Sequence, residues 1–196
     1  MTEQREPGSD VCLDRLDPSA SAISRPVVTG DWTCAAIALG GNLGNSQKIL
    51  TEAIAVINCD RSIRVLKRSH FYKTAPIGPP QPDYLNACIL IETVLTPRSL
   101  LQHLLAIENQ FGRVRQVRWG ARSLDLDLLL YGDQVVDAPG LTIPHPRLHE
   151  RAFVLVPLRD VSPHWPHPIF RKTVSQLLDQ LTVSGVERLA SVPINL

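Results

Sequence analysis

From Thr33 to Leu130 the apolar residues keep switching between a period of two and a period of 3.6, and this alternation leaves the chain few folds to choose from. Residues 33–39 are an apolar run that ends in Gly40-Gly41-Asn42, a strand closed by a turn. Asn45 or Ser46 then caps a helix with Ile49, Leu50, Ala53, Ile54 and Ile57 on one face. Residues 62–71 set Ile63, Val65 and Leu66 among basic residues, a strand with one wet face. The prolines of residues 74–83 (TAPIGPPQPD) require a loop, and residues 84–95 form the next strand. Thr96 caps a second helix with Pro97 in its first turn. Its Leu100, Leu101, Leu104, Leu105 and Ile107 are expected to face inward, and Gly112 to stop it. Residues 124–130 are again a strand. The resulting order, β-α-β-β-α-β, predicts an α+β, ferredoxin-like fold: a largely antiparallel sheet with helices packed on it. Short strands are expected at 135–136 and 141–143, with helices within 147–158 and near 173–182.

The chain has 196 residues, enough for one ordinary domain. Residues 1–31 are rich in Ser, Pro, Asp and Arg and read as a flexible extension, so the folded domain is expected over 32–196. A net charge of +1 gives no general attraction for nucleic acid or a membrane surface, so neither partner is expected. Cys12, Cys34, Cys59 and Cys88 are widely spaced and read as reduced thiols. No secretory or transit pattern opens the chain, and a cytoplasmic location is expected.

Chemistry concentrates around residues 118–132, RWGARSLDLDLLLYG. Strand residues two apart share a face at a separation of about 6.6 Å, so Asp125 and Asp127 project side by side. Leu124, Leu126, Leu128 and Leu130 are expected to fill the opposite face. Two adjacent carboxylates in an apolar setting need a proton or a cation between them. Mg²⁺ with phosphate oxygens answers that need. Taken alone, D-x-D slightly favours a simpler account, an edge strand whose aspartates pair with arginines.

Arg113, Arg115, Arg118 and Arg122 shift the balance, because they crowd a loop without an acid and their forks match phosphate oxygens. Trp119 within that loop argues for something to cover. RNA binding through Arg and Trp is the competing use. The Gly40–Gly44 turn reads first as a tight connection, since it matches neither a P-loop nor G-x-G-x-x-G. His145 lies between Pro144 and Pro146, in a turn where a phosphate contact fits better than a zinc pair with His149. Tyr84 and Phe153 read first as core aromatics, with a ligand platform as the alternative.

Taken together, these segments resemble the 6-hydroxymethyl-7,8-dihydropterin pyrophosphokinase family of the folate pathway. The resemblance rests on RWGARSLDLDLLLYG with ALGGNLG (38–44), FYKTAPIGPPQPDYLN (71–86), IENQFGRVR (107–115) and LTIPHPRLHERAF (141–153), all in the family's order. It implies transfer of pyrophosphate from ATP to the hydroxymethyl group of a reduced pterin, with release of AMP. Asp125 and Asp127 would hold two Mg²⁺ ions. Arg113, Arg122 and His145 would contact the triphosphate, and Arg115, Arg118 and Trp119 would close over it. Glu108 and Arg151 would line the nucleotide side. Tyr84 and Phe153 would sandwich the pterin, while Asn86 and the backbone of Thr74, Ala75 and Ile77 would read its edge.

The sequence departs from the family's usual pattern at Gly41 (Ser or Gln), Ala75 (Pro), Ala121 (Pro) and Pro146 (aromatic in some members). Little effect is expected at Gly41. No fused dihydropteroate synthase or aldolase domain is expected in a chain of this length, and the protein is expected to act as a monomer on small molecules. Two other activities fit parts of the pattern: a different Mg²⁺-dependent nucleotidyltransferase, and an RNA-binding module.

Overall fold

The computed structural model describes residues 30–76, 80–112 and 120–190. Of the site residues expected from sequence, Ile77, Arg113, Arg115, Arg118 and Trp119 lie outside the described residues, as does most of the expected extension.

The central pair of strands is β1 (Thr33–Gly41) and β4 (Tyr84–Thr93), antiparallel from Thr33 opposite Thr93 to Gly41 opposite Leu85. On the other side of β1 runs β5 (Asp125–Tyr131), antiparallel and at the sheet edge. Two short strands share the far side of β4: β2 (Ile63–Arg68) pairs with its second half and β3 (Tyr72–Thr74) with its first. The order β5-β1-β4-β2 is the ferredoxin-like arrangement expected from the element order. A further strand, β8 (Val186–Arg188), pairs with β3. Its three residues carry no apolar alternation, so periodicity does not signal it. A separate hairpin joins β6 (Val136–Ala138) to β7 (Leu141–Ile143).

Helices α1 (Ser46–Cys59) and α2 (Pro97–Gln110) cover one face of the sheet. Asn45 caps α1 by accepting from Lys48 N, and Thr96 caps α2 by accepting from Ser99 N. Gly112 follows α2 at φ 75°, a conformation that glycine adopts without strain. Leu50, Ala53, Ile54 and Ile57 from α1 meet Leu100, Leu104 and Ile107 from α2 over Ala35, Ile37 and Leu39 of β1. Leu105 does not join them: it is 37% exposed, and Glu108 takes a buried position on the helix instead. The opposite face of the sheet is covered by α3 (Ala152–Val161) and α4 (Val174–Leu178).

A bulge corrects the expected face of one leucine. Ile37 lies opposite Leu128, yet Ala36 lies opposite Leu130, so Leu129 is the extra residue. Leu124, Leu126 and Leu128 pack toward α2 as expected, while Leu129 and Leu130 pack toward α3. Asp125 and Asp127 precede the bulge and keep their shared face. Cys34 and Cys88 are free. Cys59 is disulfide-bonded, which corrects the expectation of four reduced thiols. Among the described residues no helix is long and apolar enough to cross a membrane.

Candidate active site

The two faces of β1 are built differently. Toward α1 and α2 it presents Ala35, Ile37 and Leu39; toward α3 it presents Ala36, Ala38 and Gly40. The small residues leave the α3 side shallow. Asp127 stands opposite Ala38 and Asp125 opposite Gly40, so the carboxylates border the space those residues do not fill. A Cβ on Gly40 would lie 3.2 Å from Asn86 Oδ1 on the neighbouring strand. Glycine there lets Asn86 approach the floor.

The space is a cavity of about 310 Å³. Asp125, Asp127 and Arg122 line it, with His145 and Arg151 from the chain leading into α3. Thr74, Ala75, Tyr84, Asn86 and Phe153 line it as well. The described residues expected to hold phosphate and those expected to hold pterin therefore face one space, with Glu108 the exception. Glu108 is buried, 1% exposed, behind β5, where Leu126 N donates to its Oε1 at 2.6 Å.

Charges of both signs meet in the cavity. Arg122 Nη1 donates to Asp125 Oδ2 at 2.7 Å. Burial lowers the pKa of this guanidinium, but the Asp125 carboxylate and, less, the Tyr84 hydroxyl together outweigh burial and raise it overall. Burial lowers the pKa of His145, Asp127 opposes that, and Arg151 adds to it. Arg147 N donates to His145 Nδ1 at 3.2 Å, which leaves Nε2 to carry the hydrogen of the neutral ring. At neutral pH the ring is therefore a hydrogen-bond donor to the cavity. Burial and then the neighbouring Arg147 lower the pKa of Arg151. Arg147 also lines the cavity and is a site residue that sequence reasoning missed. Its one signal was a basic residue in the turn just after His145.

On the pterin side, Asn86 Nδ2 donates to Thr74 Oγ1 at 2.8 Å. That bond fixes the amide and aims its carbonyl oxygen away from Thr74. Tyr84 Oη lies 3.3 Å from Gly120 O and 3.4 Å from Gln81 Oε1, and its single hydrogen serves one of them at a time. Phe153 carries Arg151 above its ring at 5.6 Å.

The donor set suits a hard cation shared with phosphate. No group of three or more His, Cys, Asp or Glu side chains is arranged for a metal among the described residues. Mg²⁺ does not need such a cage, because one or two carboxylates suffice when phosphate oxygens and water complete the shell. Asp125 and Asp127 fit that description, and Arg122, His145 and Arg151 provide the donors an anion would need.

Comparison with known proteins places the chain in a family. Residues 36–163 match the model of 7,8-dihydro-6-hydroxymethylpterin-pyrophosphokinase (HPPK). The chain belongs to the HPPK family. It is similar to the 2-amino-4-hydroxy-6-hydroxymethyldihydropteridine pyrophosphokinase of Synechocystis sp., 46% identical over 152 residues, which cover 78% of each protein. The Haemophilus influenzae protein of the same name is 48% identical over 127 residues, 64% of this chain and 79% of that one. The fold resembles a crystal structure of a Plasmodium falciparum HPPK-DHPS variant with pterin and p-hydroxybenzoate, with a TM-score of 0.63 at 15% identity. That match covers 78% of this chain and 44% of the longer one, and it speaks for the fold alone.

One departure from the usual HPPK pattern has a clear structural consequence. A Cβ on Gly41 would lie 2.3 Å from Ser123 O, so a side chain there would force the two segments apart. The expectation that Gly41 matters little is thereby corrected. Pro146 is exposed and is not part of the cavity wall. Ala75 lines the cavity with one methyl group.

Proposed function

We propose that the chain transfers the β,γ-pyrophosphoryl group of ATP to the hydroxymethyl oxygen of 6-hydroxymethyl-7,8-dihydropterin, releasing AMP, as a step of folate biosynthesis. The observation that carries this reading is the meeting of a carboxylate pair, three cationic or donor side chains and a pterin-sized set of aromatic and amide groups in one cavity. Family membership supports the same reaction.

In this reading Tyr84 and Phe153 bracket the pterin ring, and Asn86 with Thr74 and Ala75 reads its edge. Arg122, His145 and Arg151 hold the triphosphate. Asp125 and Asp127 would hold two Mg²⁺ ions, which would neutralise phosphate charge and lower the pKa of a nearby hydroxyl. Positioning and charge neutralisation carry most of the catalysis in phosphoryl-type transfer. The protein's own part is to set the hydroxymethyl oxygen in line with the β-phosphorus. The bond from that oxygen to the β-phosphorus forms as the bridging bond to the AMP oxygen breaks, and the hydroxyl proton leaves to solvent. His145 contributes an Nε2–H without changing its protonation state.

We assign the catalytic domain to residues 32–196 and propose that it works as a monomer in the cytoplasm. The test is one assay with ATP, Mg²⁺ and 6-hydroxymethyl-7,8-dihydropterin. AMP and pyrophosphorylated pterin should appear in equal amounts. Release of pyrophosphate, or no reaction when pterin is added, would overturn the reading.

A further inference from the structure

The Gly40–Gly44 turn reads as a plain connection in the sequence. Its third residue, Asn42, is 5% exposed. Asn42 does not cap α1, because Asn45 does that. Its side chain instead reaches two other segments. Nδ2 donates to Gln81 Oε1 at 3.0 Å and to Pro82 O at 3.0 Å. Oδ1 accepts from Arg122 N at 2.9 Å. The backbone adds to this, with Asn42 N and Leu43 N both donating to Arg122 O, at 2.9 and 3.2 Å. The close approach depends on Gly41, whose missing side chain makes room for Ser123 O.

The two segments are the ones that carry the two halves of the site. Pro82 lies two residues before Tyr84, on the pterin side. Arg122 grips Asp125, on the phosphate side. A planar amide that donates to one segment and accepts from the other fixes the distance between them.

We infer that Asn42 is a positioning residue that sets the pterin wall against the phosphate wall, and so places the accepting hydroxyl relative to the β-phosphorus. This rests on the pyrophosphokinase reading above. Neither wall needs Asn42 to bind its own ligand: Tyr84 and Asn86 stay on β4, and Asp125 and Asp127 stay on β5. What Asn42 governs is the register between them, and a misplacement near 1 Å between reacting groups costs on the order of 100-fold in rate.

The experiment compares wild type with Asn42→Ala, Asn42→Asp and Gln81→Ala. Aspartate keeps an acceptor for Arg122 N but can donate to neither Gln81 nor Pro82. Gln81→Ala removes one of those acceptors from a surface loop and stands in should either Asn42 variant fail to fold. Both Asn42 variants are expected to lose kcat by roughly 10- to 100-fold. Binary affinities for the pterin and for Mg²⁺ with a non-hydrolysable ATP analogue, measured by calorimetry, should each stay within about threefold of wild type, below one pK-sized step of 1.4 kcal/mol. Gln81→Ala should show a smaller kcat loss with the same split. Wild-type kcat in the variants would overturn the inference. So would a kcat loss matched by an equal loss of one binary affinity, which would make Asn42 a prop for that wall alone. A wild-type protein that makes no AMP would instead overturn the functional reading.

Discussion

The Arg122 guanidinium donates to Oδ2 of Asp125 at 2.7 Å, so one of the two carboxylates assigned to Mg²⁺ is already held by a cation. A carboxylate has room for both partners, but they share one charge. Without nucleotide, Arg122 competes with the metal. With triphosphate present, the same guanidinium gains a second anion to grip. Arg122→Ala should therefore raise the affinity of the ligand-free protein for Mn²⁺ by roughly three- to tenfold, the scale of a partly exposed ion pair near 1 kcal/mol. It should at the same time lower turnover by at least about tenfold, because the proposed phosphate clamp loses its guanidinium. Mn²⁺ titration followed by electron paramagnetic resonance, beside steady-state kinetics, separates the two effects. Unchanged Mn²⁺ affinity would show that Arg122 does not hold Asp125 in solution.

Asp127 opposes the burial of both His145 and Arg151 and lines the cavity beside them. Asp127→Ala should lower turnover by about 100- to 1000-fold, the scale of losing a preorganised electrostatic group. Pterin affinity should change by less than about threefold, a few tenths of a kcal/mol, because the pterin contacts proposed above lie away from β5. Asp127→Asn preserves shape and should be nearly as poor as alanine. Near-normal turnover in either variant would remove Asp127 from the metal assignment.

How much of this was legible in the sequence varies with the kind of signal. The core order was legible because β1, α1, β2, β4, α2 and β5 each carry strong periodicity with caps or turns at their ends. The pairing of Asp125 with Asp127 was legible from the two-residue period alone. The bulge at Leu129 was not, because an unbroken leucine run gives the same pattern with or without an extra residue. Leu105 is exposed and Glu108 buried for a tertiary reason that periodicity does not carry: the Leu126 N–H on the edge strand takes Glu108 as its acceptor. Asn42 was invisible because its partners lie about 40 and 80 residues away, as the sequence separations of 39, 40 and 80 record. The acceptor's identity came from the family motif, since D-x-D and arginines fit several reactions.

Tyr72 gives a pH prediction away from the cavity. Its hydroxyl donates to Asp160 Oδ2 at 2.8 Å and is 6% exposed as a residue. Burial, followed by the hydrogen bond and charge of Asp160, raises its pKa from 10.0 to about 12. Below the unfolded value both states hold the proton, and this group gives stability no slope. Between 10 and about 12 the unfolded chain loses its proton first, so stability falls as pH rises through that window. Denaturant unfolding at a series of alkaline pH values should show this slope in wild type and a shallower one in Tyr72→Phe. Equal slopes would mean that the folded hydroxyl titrates at its ordinary pKa.

Glu108 separates two accounts of a single residue. The family resemblance put it on the nucleotide side, but the structure buries it against the edge strand, with its Oε1 accepting from Leu126 N at 2.6 Å. Among the described residues β5 has β1 on one side and no strand on the other, so alternate N–H groups of β5 point away from the ladder. Leu126 lies between Asp125 and Asp127, and its N–H is one of these. Removing the acceptor leaves a buried donor unpaired, which costs about 1–3 kcal/mol. Glu108→Leu should therefore lower Tm by roughly 2–10 °C for a chain of this size. Turnover measured well below Tm should also fall, because the strand segment that carries both aspartates loses its anchor. Glu108→Gln keeps an acceptor of the same reach, and its Tm should stay within about 2 °C, under 1 kcal/mol, of wild type. Its KM for ATP should also stay near the wild-type value. A raised KM for ATP at unchanged Tm in Glu108→Gln would return the carboxylate to the nucleotide. A normal Tm in Glu108→Leu would show that Leu126 N–H finds another partner.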